Sequence, residues 1–278
     1  MKFKNVIIAC STIALFLSCA TNPFTGKSTM ALVPNSQLFP TAFAQYNQVL
    51  SESNVETGTS RADMITRVGQ RIAVAAERWL NANGHQGYLA DYEWEYNLID
   101  DPTVNAWCMP GGKIVFYTGI LPIAENETGV AAIMGHEVAH ALANHGQQRM
   151  SASYIQQGLA IAGNVAIQDD KSRDAFNQYY GVGSNVLGML PFSRSHETEA
   201  DKIGLYLMGI AGYNPTEASN LWVRMKANSG GESTPEFLST HPSNDSRIAD
   251  LKELAPQAIA EAKKFGVQSF RPITSFSY

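Results

Sequence analysis

The chain has 278 residues, 45% of them hydrophobic and 16% charged, which is ordinary composition for a folded protein with a substantial core. A formal net charge of −5 without any long basic run excludes the electrostatic footprint of a nucleic-acid binder. Three cysteines, Cys10, Cys19 and Cys108, exclude a dense disulfide framework.

Residues 1–18 read as a secretory leader. Lys2 and Lys4 precede an apolar run from Val6 to Leu17 that is too short to span a bilayer comfortably. The run ends in Phe16-Leu17-Ser18-Cys19-Ala20, which resembles the lipobox of bacterial lipoproteins, with Phe16 standing where Leu is usual. That likeness implies cleavage before Cys19, a lipid anchor on Cys19, and a place on the outer membrane facing the periplasm. An ordinary cleaved leader is the plain alternative. Residues 19–35, rich in Pro, Gly, Ser and Thr, are expected to be an extended tether. Cys108 then remains as a packed residue.

Leu38, Phe39, Phe43, Tyr46, Val49 and Leu50 recur at helical spacing, with Pro40 expected in the first turn. Ser60 to Asp63 resembles a capping box and opens a helix with Met64, Ile65, Val68, Ile72, Ala76 and Trp79 on one stripe. Tyr92 to Ile99 alternates as a half-buried strand does. Val104 to Met109 and Lys113 to Thr118 are two more short strands around Pro110-Gly111-Gly112. Short strands followed by helices predict an α+β fold, mostly helical with a small sheet.

A long helix is expected from Asn126 to Gln148. It carries His136-Glu137-Val138-Ala139-His140, in which two histidines one turn apart can reach one metal ion. Glu137 stands beside them as a candidate general base, the pattern H-E-x-x-H of zinc metalloproteases. His145 falls about 180° from His136 and is excluded as a ligand, leaving it to favour the helix C-terminus. Residues 151–190 form the least legible segment, expected to hold one or two helices over the site.

Catalytic zinc takes three protein ligands. Glu197 and Asp201 share one face of the next helix, expected over 196–210, with Gly204 allowing close approach. Glu197 is the candidate third ligand, and Asp201 is placed to hold a ligand histidine by its other nitrogen. The plain alternative is a solvated acidic first turn. Helices are also expected over 215–227 and 245–255.

These residues, with Asn22 to Ser28, Asn105 to Lys113, Tyr117 to Leu121, Ser193-Arg194, His241-Pro242-Ser243 and Arg247-Ile248, resemble the M48 family of zinc metallopeptidases, its soluble periplasmic lipoprotein type above all. The resemblance implies a metallopeptidase domain over 36–270 with a short tail after it. It also implies one Zn2+ on His136, His140 and Glu197, Glu137 as general base, and Asp201 as an orienting carboxylate. The strand of Lys113, Ile114, Val115 and Phe116 is expected to form the cleft edge on which an extended substrate pairs. His241 either turns the loop before Pro242, occupies the zinc's open position, or donates to the oxyanion. The implied substrates are unfolded or misassembled cell-envelope proteins; the alternative is a chaperone-like envelope protein with a latent or structural zinc site.

Overall fold

The computed structural model describes residues 19–166, 193–228, 235–242 and 245–276, without the side chains of 156–166. The expected leader and the segment 167–190 lie outside them. The chain divides into two compact units: Met1–Leu38 with Asn144–Leu190, and Phe39–Ala143 with Pro191–Tyr278. No helix among the described residues is long and apolar enough to cross a membrane.

In the first unit, β1 (Cys19–Thr21) pairs antiparallel with β2 (Ser28–Met30), Cys19 opposite Met30. An extended tether was expected here. The chain turns back because Asn22 Oδ1 accepts from Phe24 N at 2.9 Å and Gly26 takes φ +68°. Leu32 N donates to Ser151 Oγ at 3.0 Å on α5 (His145–Ala166), tying this stretch to that helix.

The second unit holds the sheet, in the order β3 (Val55–Glu56), β4 (Glu95–Ile99), β6 (Lys113–Tyr117), β5 (Ala106–Met109). β6 runs parallel to β4 and antiparallel to β5. The expectation that Lys113, Ile114, Val115 and Phe116 form a cleft edge is thereby corrected. Their strand is paired on both sides, Ile114, Val115 and Phe116 are fully buried, and among the described residues the edge strands are β3 and β5. Tyr46 on α1 (Asn35–Glu52) packs on Ile99 and Val115. Pro40 lies inside that helix, not in its first turn.

α2 (Ser60–Ala82) buries the stripe from Met64 to Trp79 as its period requires. Its cap is Thr59, whose extended backbone brings its hydroxyl 3.2 Å from Ala62 N, one residue before the expected start. A 3₁₀ turn and the short α3 (Leu121–Ala124) lead into α4 (Glu127–Leu142). Asn126 caps α4 through Gly129 N at 2.8 Å. All of α4 from Thr128 to Leu142 is buried, the setting of a helix enclosed on every side.

The single helix expected over 126–148 is broken. Asn144 adopts φ +57°, a left-handed conformation that asparagine tolerates, and α5 begins at His145. His145 is thus in the first turn of a new helix instead of the last turn of the old one. α6 (Arg194–Ile210) packs along α4, followed by α7 (Glu217–Asn228), α8 (Glu236–Thr240) and α9 (Asp245–Lys264).

Candidate active site

Three elements of the second unit bring four donor side chains to one buried point. α4 supplies His136 and His140, whose Nε2 atoms stand 3.0 Å apart. α6, capped by Ser193 through His196 N at 3.2 Å, supplies Glu197 in its first turn. The turn after α8 supplies His241. Its Nδ1 lies 3.2 Å from His136 Nε2 and 3.1 Å from Glu197 Oε1. His140 Nε2 is 3.3 Å from Glu197 Oε1. All four side chains are buried, and their donor atoms lie within 4.8 Å of one another.

The close approach of α4 and α6 has a local cause. Gly204 faces Gly135, and a Cβ on Gly204 would stand 2.9 Å from the Gly135 carbonyl carbon. His241 is held from the sheet. Phe237 N donates to Val104 O at 3.0 Å and Asn105 Nδ2 to Glu236 Oε1 at 3.0 Å, fixing α8 beside the start of β5. The Phe237 ring then lies 4.7 Å from the His241 ring.

Asp201, one turn beyond Glu197, places Oδ1 2.9 Å from His136 Nδ1. Behind it stands Arg247, in the first turn of α9. It donates to Asp201 from Nε at 2.8 Å and from Nη2 at 2.7 Å, while Nη1 lies 2.7 Å from Glu197 Oε2. Its guanidinium sits 3.5 Å from the centre of the Trp222 ring on α7. Sequence reasoning assigned Arg247 no role. The signal was there: Arg247, Leu251 and Ala255 fall on one helical stripe, all buried, so a charge stands where an apolar residue belongs.

The electrostatics favour positive charge at the centre. Burial would raise the Glu197 carboxyl, but the charge of His136 and hydrogen bonds from the three imidazoles hold it far below the usual range. Burial would depress His136, yet Glu197 and Asp201 hold it up to about 9. Burial drives His140 well down and keeps it neutral, as a metal ligand must be. Glu137 is raised by burial, against the pull of His241 and His136. Its Oε1 is buried with no hydrogen-bond partner among the described residues, His241 Nε2 being 3.4 Å away.

This donor set fits zinc. Three imidazole nitrogens and a carboxylate oxygen are common zinc ligands, and tetrahedral bonds of ~2.1 Å put donors roughly 3.4 Å apart, close to the separations here. Asp201 against His136 Nδ1 is the carboxylate–histidine–metal arrangement. Cys19, expected to carry lipid, is exposed on β1.

A model of peptidase family M48 matches residues 60–255. The chain is 38% identical over 172 residues to the mitochondrial metalloendopeptidase OMA1 of Schizosaccharomyces pombe, covering 61% of this chain and 49% of the relative. It is 27% identical to the mitochondrial metalloendopeptidase OMA1 of Homo sapiens over 254 residues, 88% of this chain and 47% of the relative. It is 26% identical to the β-barrel assembly-enhancing protease of Yersinia pestis over 172 residues, 59% of this chain and 35% of the relative. The chain spans about half the length of the OMA1 relatives it matches. Mitochondrial relatives at this identity overturn the outer-membrane, periplasm-facing location expected from residues 16–20. With the family model covering most of the chain and zinc-type donors converging inside the matched region, the chain belongs to peptidase family M48.

Proposed function

We propose that this chain is a zinc endopeptidase acting on unfolded or misassembled proteins, with His136, His140 and Glu197 as zinc ligands and Glu137 as general base. The observation that carries the reading is the convergence of these donors at one buried point with the Glu137 carboxylate beside it. Zinc supplies positive charge that acidifies water and polarises the scissile carbonyl. Glu137 takes the proton of the attacking water and passes it to the leaving amine. Asp201 and Arg247 hold His136 in one orientation throughout.

An extended substrate would add to the free edge of β5, which packs against α4 and whose start is tied to α8. Main-chain pairing makes such recognition tolerant of sequence, which suits unfolded chains as substrates. The Yersinia relative named for β-barrel assembly supports proteins caught during assembly as that class.

One observation favours a second reading, a chaperone-like protein with a latent zinc site. His241 stands at the fourth corner of the donor set, so four protein ligands would close the metal. In the first reading the same contact makes His241 a plug that must leave before water or substrate enters.

Cleavage of casein by zinc-loaded wild type, Glu137→Gln and His241→Ala separates these. A peptidase gives chelator-sensitive wild-type turnover, a loss of at least ~100-fold in Glu137→Gln, and faster basal turnover in His241→Ala. Equal turnover by wild type and Glu137→Gln would sink the mechanism. Suppression of aggregation with no cleavage by any variant would establish the second reading.

A further inference from the structure

A cavity of about 600 Å³ opens in the second unit, lined by residues of α2, the start of α4 and the stretch 271–276. Three guanidiniums and one carboxylate decide its charge. Arg67 Nη2 lies 2.7 Å from Glu127 Oε2, and Arg71 Nη1 lies 2.7 Å from Glu127 Oε1. Arg271 lies 5.7 Å from the centre of the Tyr213 ring, and among the described residues no carboxylate pairs with it. Arg61, also on the wall, is paired with Glu56 at 2.6 Å. The cavity is left with two positive charges more than it neutralises.

The donors are held in place. Tyr213 OH donates to Glu127 Oε1 at 2.7 Å and accepts from Arg71 Nη1 at 2.9 Å. The wall carrying Arg271 is pinned at both ends, by Arg271 N to Gly212 O at 2.9 Å and Phe276 N to Glu125 O at 2.8 Å. Each guanidinium offers five N–H donors in a fixed fork, more than one carboxylate can accept. Met64, Leu121 and Phe276 supply an apolar surface beside them.

We propose that this cavity binds a small organic anion, a carboxylate or phosphate monoester carried on a short apolar body. The charged head would lie between Arg71 and Arg271, and the body against Met64, Leu121 and Phe276. The volume is that of a small-molecule site, and preformed donors lower the entropic cost of binding. Glu127 is the built-in competitor for the same donors. It also opens α4, roughly two and a half turns before His136, so the site shares a helix with the metal ligands while using none of them.

The test is calorimetric titration of the full chain with octanoate, octyl phosphate, inorganic phosphate and octanol. Octanoate or octyl phosphate should bind, inorganic phosphate more weakly, and octanol not measurably. Arg271→Gln should weaken binding about tenfold, the loss of one charge-assisted contact. Glu127→Gln should tighten it by freeing Arg67 and Arg71. Octanol binding as well as octanoate would remove the anion requirement, and inorganic phosphate binding as well as octyl phosphate would remove the apolar one. Unchanged affinity in Arg271→Gln, or no binding of any probe, overturns the site. None of these readouts depends on peptidase activity.

Discussion

Gly204 on α6 and Gly135 on α4 bring two helix backbones into direct contact. A Cβ on Gly204 would meet the Gly135 carbonyl carbon and the His136 amide nitrogen, both at 2.9 Å. Neither is a flexible side-chain end that could swing aside. Gly204→Ala should therefore push α6 off α4 at a cost of about 1–3 kcal/mol. Differential scanning calorimetry would show the lower melting temperature, and zinc content should fall with it because Glu197 and His136 would move apart. A wild-type melting temperature in Gly204→Ala would mean the helices have room to spare.

Arg247 should matter more than its distance from the chemistry suggests. Arg247→Met removes the guanidinium that Asp201 and Glu197 share and leaves them only His136 as a nearby cation, a loss on the order of 3–5 kcal/mol. Arg247→Lys restores charge without the fork that grips both Asp201 oxygens, so it should rescue stability only in part. Chemical denaturation of the three proteins ranks them; equal stability of the Lys and Arg forms would deny the fork its role.

Metal analysis divides the ligands from the base. Purified wild type should carry one zinc per chain, His136→Ala and Glu197→Ala almost none, and Glu137→Gln the full amount. Loss of zinc from Glu137→Gln would make Glu137 a ligand instead of a base. Removal of zinc with a chelator should lower the melting temperature of wild type more than that of His136→Ala, because only wild type has binding energy to lose.

Glu127 gives an acid-side signature. Burial would raise its carboxyl, but hydrogen bonds from Arg67 and Tyr213 and the charges of Arg67 and Arg71 hold it below its ordinary 4.5. The folded state then binds the proton less readily than the unfolded state. Its stabilising contribution is complete above about 4.5 and is lost as pH falls through the lower folded value. Melting temperature plotted from pH 6 downward should fall more steeply in wild type than in Glu127→Gln. Parallel curves would show that Glu127 keeps an ordinary pKa.

The convergence of the candidate-site side chains was legible in part because helical phase is a local property. His136 and His140, and Glu197 and Asp201, lie four residues apart on their own helices, and each pair does share a face. Gly204 was legible as a point of close approach for the same reason. The cleft edge was not. Alternation identifies a strand but says nothing about its neighbours, and β6 took the centre because β4 pairs with it in parallel across β5's place in the chain. Arg247 was missed because its partners, Asp201 and Trp222, come from two other helices. The break at Asn144 was missed because the polar run His145 to Arg149 also suits the end of a continuing helix, while the left-handed turn at Asn144 is a backbone property.

The sheet order also sets the loop that each strand pairing must close. β5 and β6 are joined by the turn at 110–112, where Gly111 and Gly112 take φ +85° and +92°, so their hairpin closes a short loop. β4 must close a longer one to reach β6, at a greater cost in chain entropy. Until it does, Ile114 to Phe116 form an apolar strand with one edge open. A chain in which only that hairpin has closed has an apolar strand edge open to pairing with other chains.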